Sequence, residues 1–378
     1  MRPAMWQRHG GLGLVGFALG LCGLGLVACE SDHECGGAIP PGGKGEVAAD
    51  PGAGFQPAGQ AEASPWSVQR VESKGALVSV WGSGPTDVWA AGGRADLGLV
   101  LHNDGSGWSP VDTGAKSFLW WIYGLSATDV YAVGDQGLIL HFDGKAWTQV
   151  TSGTKASLFG VWAGSGDDVW IVGGNPHGAT GEATVLRGNA KGFQKVNVPN
   201  HLLPSTLYKV YGSPATLDNP NGGVVAVGAG GTVLRYDGPR DGEPDPANWR
   251  RDEVPTESRI ISLWGAGGDD LYAVGGEANG ILLHYDGATW KQVGGVQAGL
   301  QLYGVFKAPG QPVFAVGAGP RIVEWAADAE PLESDTADLT PGVVLHSVWG
   351  DGAGTVYAVG GTLFGDPGQM TGVVLRRQ

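Results

Sequence analysis

The chain has 378 residues, of which 69 are glycine and 15 tryptophan, and its formal net charge is −14. Glycine lies far above its usual share of about 7 % and disfavours helix, but it has no triplet period and only 23 prolines accompany it, which excludes collagen. The acidic balance excludes nucleic-acid binding by phosphate neutralisation and a polybasic membrane patch, while 42 % hydrophobic residues suffice for a packed core.

Residues 1–28 read as an export signal. Arg2, Arg8 and His9 give a basic start, and Gly10 to Ala28 form an uncharged apolar stretch ending in small residues. The Leu26-Val27-Ala28-Cys29 run resembles the bacterial lipobox; Cys22 is a poorer candidate because Leu21 is too large for the small-residue slot. The resemblance implies lipidation of Cys29 as the mature N-terminus, with acyl chains as the membrane anchor. It places the protein, exported, in the cell envelope, with the outer membrane favoured. Cleavage removes Arg2 and Arg8, so the 23 bases become 21 against 37 acids, a net charge of −16. Cys35 is then the free thiol, which leaves no disulfide framework. Residues 29–64 form a Gly-, Pro- and acid-containing tether that lacks the apolar surface to offset its ordering entropy; as a flexible coil it spans on the order of 30 Å.

From residue 65 to 378 one unit recurs seven times. Each opens on an aromatic: Trp81, Tyr123, Trp162, Tyr211, Trp264, Phe306 and Trp349, at intervals of 39 to 53 residues. A block of the type Asp87-Val-Trp-Ala-Ala-Gly or Asp129-Val-Tyr-Ala-Val-Gly follows, then an apolar run ending in His, Arg or, in unit six, Glu324, then an aromatic such as Trp108, Trp147, Phe193, Trp249 or Trp290. Four short β runs per unit of about 40 residues predict a propeller blade. The seventh unit shows three such runs before Gln378, and the segment Pro65 to Val71, around Trp66, has the character of the missing fourth. The expected fold is therefore an all-β, seven-bladed β-propeller of four-stranded antiparallel blades, closed when the N-terminal strand completes the last blade. Closure removes an exposed edge.

The turn Asp286-Gly287-Ala288-Thr289-Trp290, and likewise Asp143 to Trp147, resembles the Asp-box of bacterial-neuraminidase repeats, one residue shorter, and is similar to repeats of photosystem II assembly factor-like propellers. The Trp-Gly-x-x-x-x-Asp-Val-Trp-Ala run resembles tectonin-type lectin repeats. These resemblances imply the fold; they imply no one activity. The repeated Asp has a structural reading, accepting backbone N–H groups in its turn.

Three third-strand ends carry His102, His141 and His284, with Arg187, Arg235 and Arg376 at matching positions. Equivalent places on separate blades put them more than roughly 10 Å apart, too far for shared metal coordination. No metal or cofactor is expected, and no catalytic constellation stands out: the sialidase set cannot be mapped, and Gly-x-Ser-x-Gly and Cys-x-x-Cys are missing. The acidic insertion Asp241 to Asp245 lacks a full calcium-ligand spacing.

Candidate binding residues come from departures from the repeat. The second-to-third strand loops are longer in alternate units and share one face, placing Arg94, His177, Glu277, Phe364 and Met370 on a rim. On the innermost strand the siblings use Ser79, Gly160, Ser262, Gly304 and Ser347 where Trp121 and Lys209 stand. A ligand contact and a plug for a wide channel are both open readings of that pair. The expected function is a non-enzymatic binding or scaffold module for a protein or carbohydrate, monomeric and membrane-held through Cys29; the alternative is an envelope hydrolase or lyase using the channel mouth.

Overall fold

The computed structural model describes residues 65–69, 71, 73–213, 223–238, 248–293, 301–326, 332–334, 336, 339, 342–363 and 370–377. The chain divides into two units, 1–60 and 61–378, and the described residues all belong to the second. The signal, Cys29, the tether, Phe364 and the acidic insertion lie outside them.

Among the described residues, valine, tryptophan and tyrosine between glycine turns form 28 short strands in seven four-stranded antiparallel sheets. Blade 1 runs Ala76–Gly84, Asp87–Arg94, Leu97–Asn103 and Trp108–Val111 from axis to rim. The inner strands of the seven blades are Ala76–Gly84, Leu119–Ser126, Ser157–Ser165, Leu207–Ser213, Ile260–Gly267, Leu302–Phe306 and Val344–Gly350. Each touches the next, and the last touches the first, so they enclose a channel. Second strands such as Asp87–Arg94 and Asp129–Gly134 are buried on both faces, which explains their continuous apolar character.

The ring closes as expected. Trp66–Gln69 is the outer strand of blade 7, paired with Gly372–Arg377 in the register Trp66 to Arg377 and Gln69 to Val374. Trp66 is buried and meets Phe314 of blade 6 edge-on at 6.3 Å. In blade 6 the outer strand is Leu332–Ser334, which lacks the usual aromatic and leaves Leu332 exposed.

The aromatics that open the repeats close one end of the channel. Trp264 lies 5.7 Å from Tyr211, 5.4 Å from Phe306 and, across the axis, 6.2 Å from Tyr123. At Gly82, Gly124, Gly212 and Gly350 the glycine after the aromatic makes room for the ring of the preceding blade: a Cβ on Gly124 would stand 2.5 Å from Trp81, and one on Gly212 would stand 2.4 Å from Trp162. Burial in this layer raises the Tyr123 phenol above its ordinary pKa and pushes Tyr211 up to about 12.

Candidate channel-mouth binding site

The opposite end of the channel carries the second-to-third strand loops. Near this end all seven inner strands hold a β-bulge at the same place, one residue before the small-residue position. The bulged residues are Val78, Trp120, Phe159, Tyr208, Ile261, Tyr303 and His346. A bulge inserts one extra residue and re-aims its side chain, so the strand shows the mouth a residue that simple alternation would hide. Five of the seven are aromatic. Rings run from Phe118 to Trp120 at 4.5 Å, on to Phe159 at 5.3 Å and to Tyr208 at 5.6 Å; Tyr303 and His346 pair at 4.8 Å.

Loop polar groups fix this belt. Trp120 Nε1 donates to Asp135 Oδ1 at 2.8 Å, and Ser157 Oγ donates to the same oxygen at 2.7 Å. Tyr303 donates to Gln301 Oε1, and Gln301 Nε2 donates to the Gly276 carbonyl oxygen, which also accepts Arg259 Nε at 3.4 Å. Arg259 stands beside both Tyr208 and Tyr303; burial raises both phenols, and the guanidinium partly opposes that rise.

The structure places Trp121 and Lys209 one layer below the rim, 6 % and 7 % exposed. Lys209 Nζ lies 3.1 Å from the centroid of the Trp121 ring and donates to the Phe159 carbonyl oxygen at 3.4 Å. The two residues that break the small-residue rule thus pack on each other inside the channel. Burial pushes the Lys209 amine well below its ordinary pKa. Of the expected rim residues, Arg94 pairs with Asp96 at 2.8 Å, His177 and Glu277 are exposed, and Met370 is half-buried.

The third-strand histidines each have a local partner. His102 stacks on Trp89 at 3.9 Å and meets Asp87 at 2.6 Å; His141 and His284 repeat this with Asp129 at 2.8 Å and Asp270 at 2.9 Å. Arg187 does the same with Trp170 and Asp168. Blade 4 starts its second strand on Gly223 instead of Asp, and Arg235 turns to Asp252, 2.7 and 2.9 Å away. The turn aspartates accept backbone N–H groups, as Asp286 does from Ala288 and Thr289 at 3.1 and 2.8 Å. Among the described residues no group of three His, Cys, Asp or Glu is placed to hold a metal ion.

Sequence reasoning passed over Trp120, Phe159, Tyr208, Tyr303, His346 and Arg259. The signal was present: an aromatic column stands immediately before the Ser and Gly column in the aligned repeats.

Fold and mouth together define a seven-bladed β-propeller with an aromatic-lined channel mouth. The chain matches no protein-family model and no curated protein sequence. Among solved structures it is similar to YCF48 bound to D1 peptide, with 14 % identity over 84 % of this chain and 96 % of that one and a TM-score of 0.60. It is also similar to virginiamycin B lyase from Staphylococcus aureus (13 % identity, 83 % and 99 % covered, TM-score 0.62). The WD40 propeller domain of Doa1 gives 10 % identity, 83 % and 97 % covered, and a TM-score of 0.59. At these identities the likeness is one of fold.

Proposed function

We propose that this is a cell-envelope lipoprotein, anchored through Cys29, whose propeller binds a protein segment at the channel mouth without catalysing a reaction. The observation that carries the reading is the bulge in every inner strand, which sets Trp120, Phe159 and Tyr208 in ring contact along one end of the channel and Tyr303 against His346 on the other side of it. Large rings with polar handles are suited to hold apolar and polar parts of one ligand together. The similar fold of YCF48, a propeller bound to a peptide, supports a protein partner. Asp135, a carboxylate beside the mouth, is held by Trp120 and Ser157 as an acceptor, which suits a positioning role better than acid–base work.

The test is differential capture. Purified Cys29→Ser protein and its Trp120→Ala, Tyr208→Ala derivative are immobilised and exposed to envelope proteins and to a glycan array. Each truncated anchor is expected to cost about 2 kcal/mol, roughly thirtyfold in affinity, in a protein that loses some stability but stays folded at the temperature of the assay, as its circular dichroism shows. Identical protein capture by both forms contradicts the reading; a mouth-dependent signal on the glycan array alone replaces the protein partner with a carbohydrate.

A further inference from the structure

Towards the end of the propeller opposite the mouth, blade 4 lacks a ring that every other blade has. Second strands set an aromatic directly across from a polar residue of the third: Trp89 from His102, Tyr131 from His141, Trp170 from Arg187, Tyr272 from His284. These pairs stack at 3.9 to 4.8 Å, and an aspartate two residues before the ring binds the same His or Arg. Blades 6 and 7 keep the ring as Phe314 and Tyr357. In blade 4 the ring is replaced by Val225 and the aspartate by Gly223, while Arg235 keeps its place across from Val225. A sibling ring also reaches the next blade, as Trp170 reaches Tyr236 at 5.4 Å. The counterpart of Tyr236 in blade 5 is Tyr285. With no ring of its own to rest on, Arg235 crosses to Tyr285, 4.4 Å from the ring centroid, and to Asp252. It does not fill the gap. A cavity of about 180 Å³ remains between blades 4 and 5, bounded by Gly223, Val225, Arg235 and Tyr285. It meets solvent at Arg250 and Asp237, whose side chains are 48 % and 43 % exposed.

Gly and Val in place of Asp and an aromatic leave packing contacts unmade in an otherwise close-packed repeat. An apolar cavity of about 150 Å³ takes a benzene ring, so this space is the size for one ring. Its walls suit one too: Arg235 offers a planar cation, Tyr285 and Tyr211 offer ring faces, and Val224, Val225 and Leu271 offer apolar surface. The acids Asp237, Asp252 and Asp269 outnumber the bases Arg235 and Arg250 around it, which opposes an anion and favours a ring bearing a hydrogen-bond donor. The stretches that join these strands in sequence, 214–222 and 239–247, contain no aromatic residue, so neither supplies the ring. We infer that the cavity between blades 4 and 5 binds a neutral phenolic ring, seated on Arg235 and Tyr285 in place of the aromatic that the other blades carry. This site is separate from the mouth and does not rest on the reading given to it.

The probes are phenol, its saturated counterpart cyclohexanol and the anion benzoate, titrated by calorimetry and ligand-observed NMR against the full chain carrying Cys29→Ser. Phenol is expected to bind saturably with a Kd of about 1 mM or tighter, and about fivefold or more tighter than either control, the range of a cation–π contact. Val225→Tyr supplies the ring from the chain itself, so it should abolish phenol binding and melt no lower than the parent. Arg235→Lys keeps the charge but loses the planar face, and should bring phenol down to the affinity of cyclohexanol. It carries the test if Val225→Tyr does not fold. Acetyl-tyrosinamide separates the two sources of such a ring. Affinity equal to that of phenol assigns the site to a tyrosine side chain, exclusion assigns it to a free phenol, and both support the pocket. No saturable phenol binding, equal affinity for phenol and cyclohexanol, or phenol binding undiminished in either folded variant overturns it. Phenol binding lost in Trp120→Ala but kept in Val225→Tyr lies at the mouth, and overturns the pocket while leaving the mouth reading intact.

Discussion

Trp121 and Lys209 show how one residue of register separates a rim from a channel interior. Strict alternation along the inner strand puts the outlying pair where Ser and Gly stand in the siblings. The bulge at Trp120, and its counterpart at Tyr208, slips the facing by one. The candidate mouth lies one residue from the outlying pair that the sequence singles out, and the missing step was a backbone irregularity that periodicity does not encode. Trp121→Ser should remove the ring under Lys209 and lower stability by about 3 kcal/mol, read as a reduced denaturant midpoint at constant slope. His346 gives a pH dependence whose sign follows from its lowered pKa. Unfolded chains take up a proton below about 6.5, the folded imidazole only near about 3, so its contribution is complete above 6.5 and lost as pH falls through that window. The slope is at most about 1.4 kcal/mol per pH unit, and His346→Phe should flatten the wild-type fall in urea unfolding between pH 7 and 4. Equal pH profiles for the two proteins would contradict the burial of this imidazole.

Strands and their junctions were the most readable level, because each unit repeats its aromatic, its Asp turn and its apolar run. Even closure was visible: the strand around Trp66 has the character missing from the seventh unit, and it pairs with Gly372–Arg377. Blade 6 was less readable, since its outer strand Leu332–Ser334 lacks an aromatic marker and owes its place to ladder pairing with Ile322 to Glu324. Removing residues 1–64 should leave thermal unfolding unchanged. Removing 1–75 takes away the Trp66 strand, exposes the edge of Gly372–Arg377, and should lower the melting temperature or cause aggregation. Equal melting of the two forms contradicts closure by this strand. At the aromatic end, Gly124→Ala drives a methyl to within 2.5 Å of the Trp81 ring and should cost about 1–3 kcal/mol in the same assay.

At the scale of the molecule, seven near-equivalent blades make a rigid ring whose two channel ends differ. One end is filled by Trp264 and its aromatic neighbours; the other presents the bulged belt and the loops. The sequence pattern conveys this symmetry well but conveys the ligand poorly, because the mouth draws single residues from several blades, such as Tyr208, Arg259 and Tyr303, and their meeting is a property of the closed ring. The proposed address has its own test: Cys29→Ser should move the protein from the membrane to the soluble fraction, and retention in membranes through high salt contradicts the lipid anchor. The binding function is tested most directly by measuring capture of envelope proteins on the Cys29→Ser protein against its Trp120→Ala, Tyr208→Ala derivative, with melting temperature as the control. A partner lost from the derivative while it remains folded at the assay temperature is the expected result; the same partners at the same affinity on both forms would contradict a binding mouth.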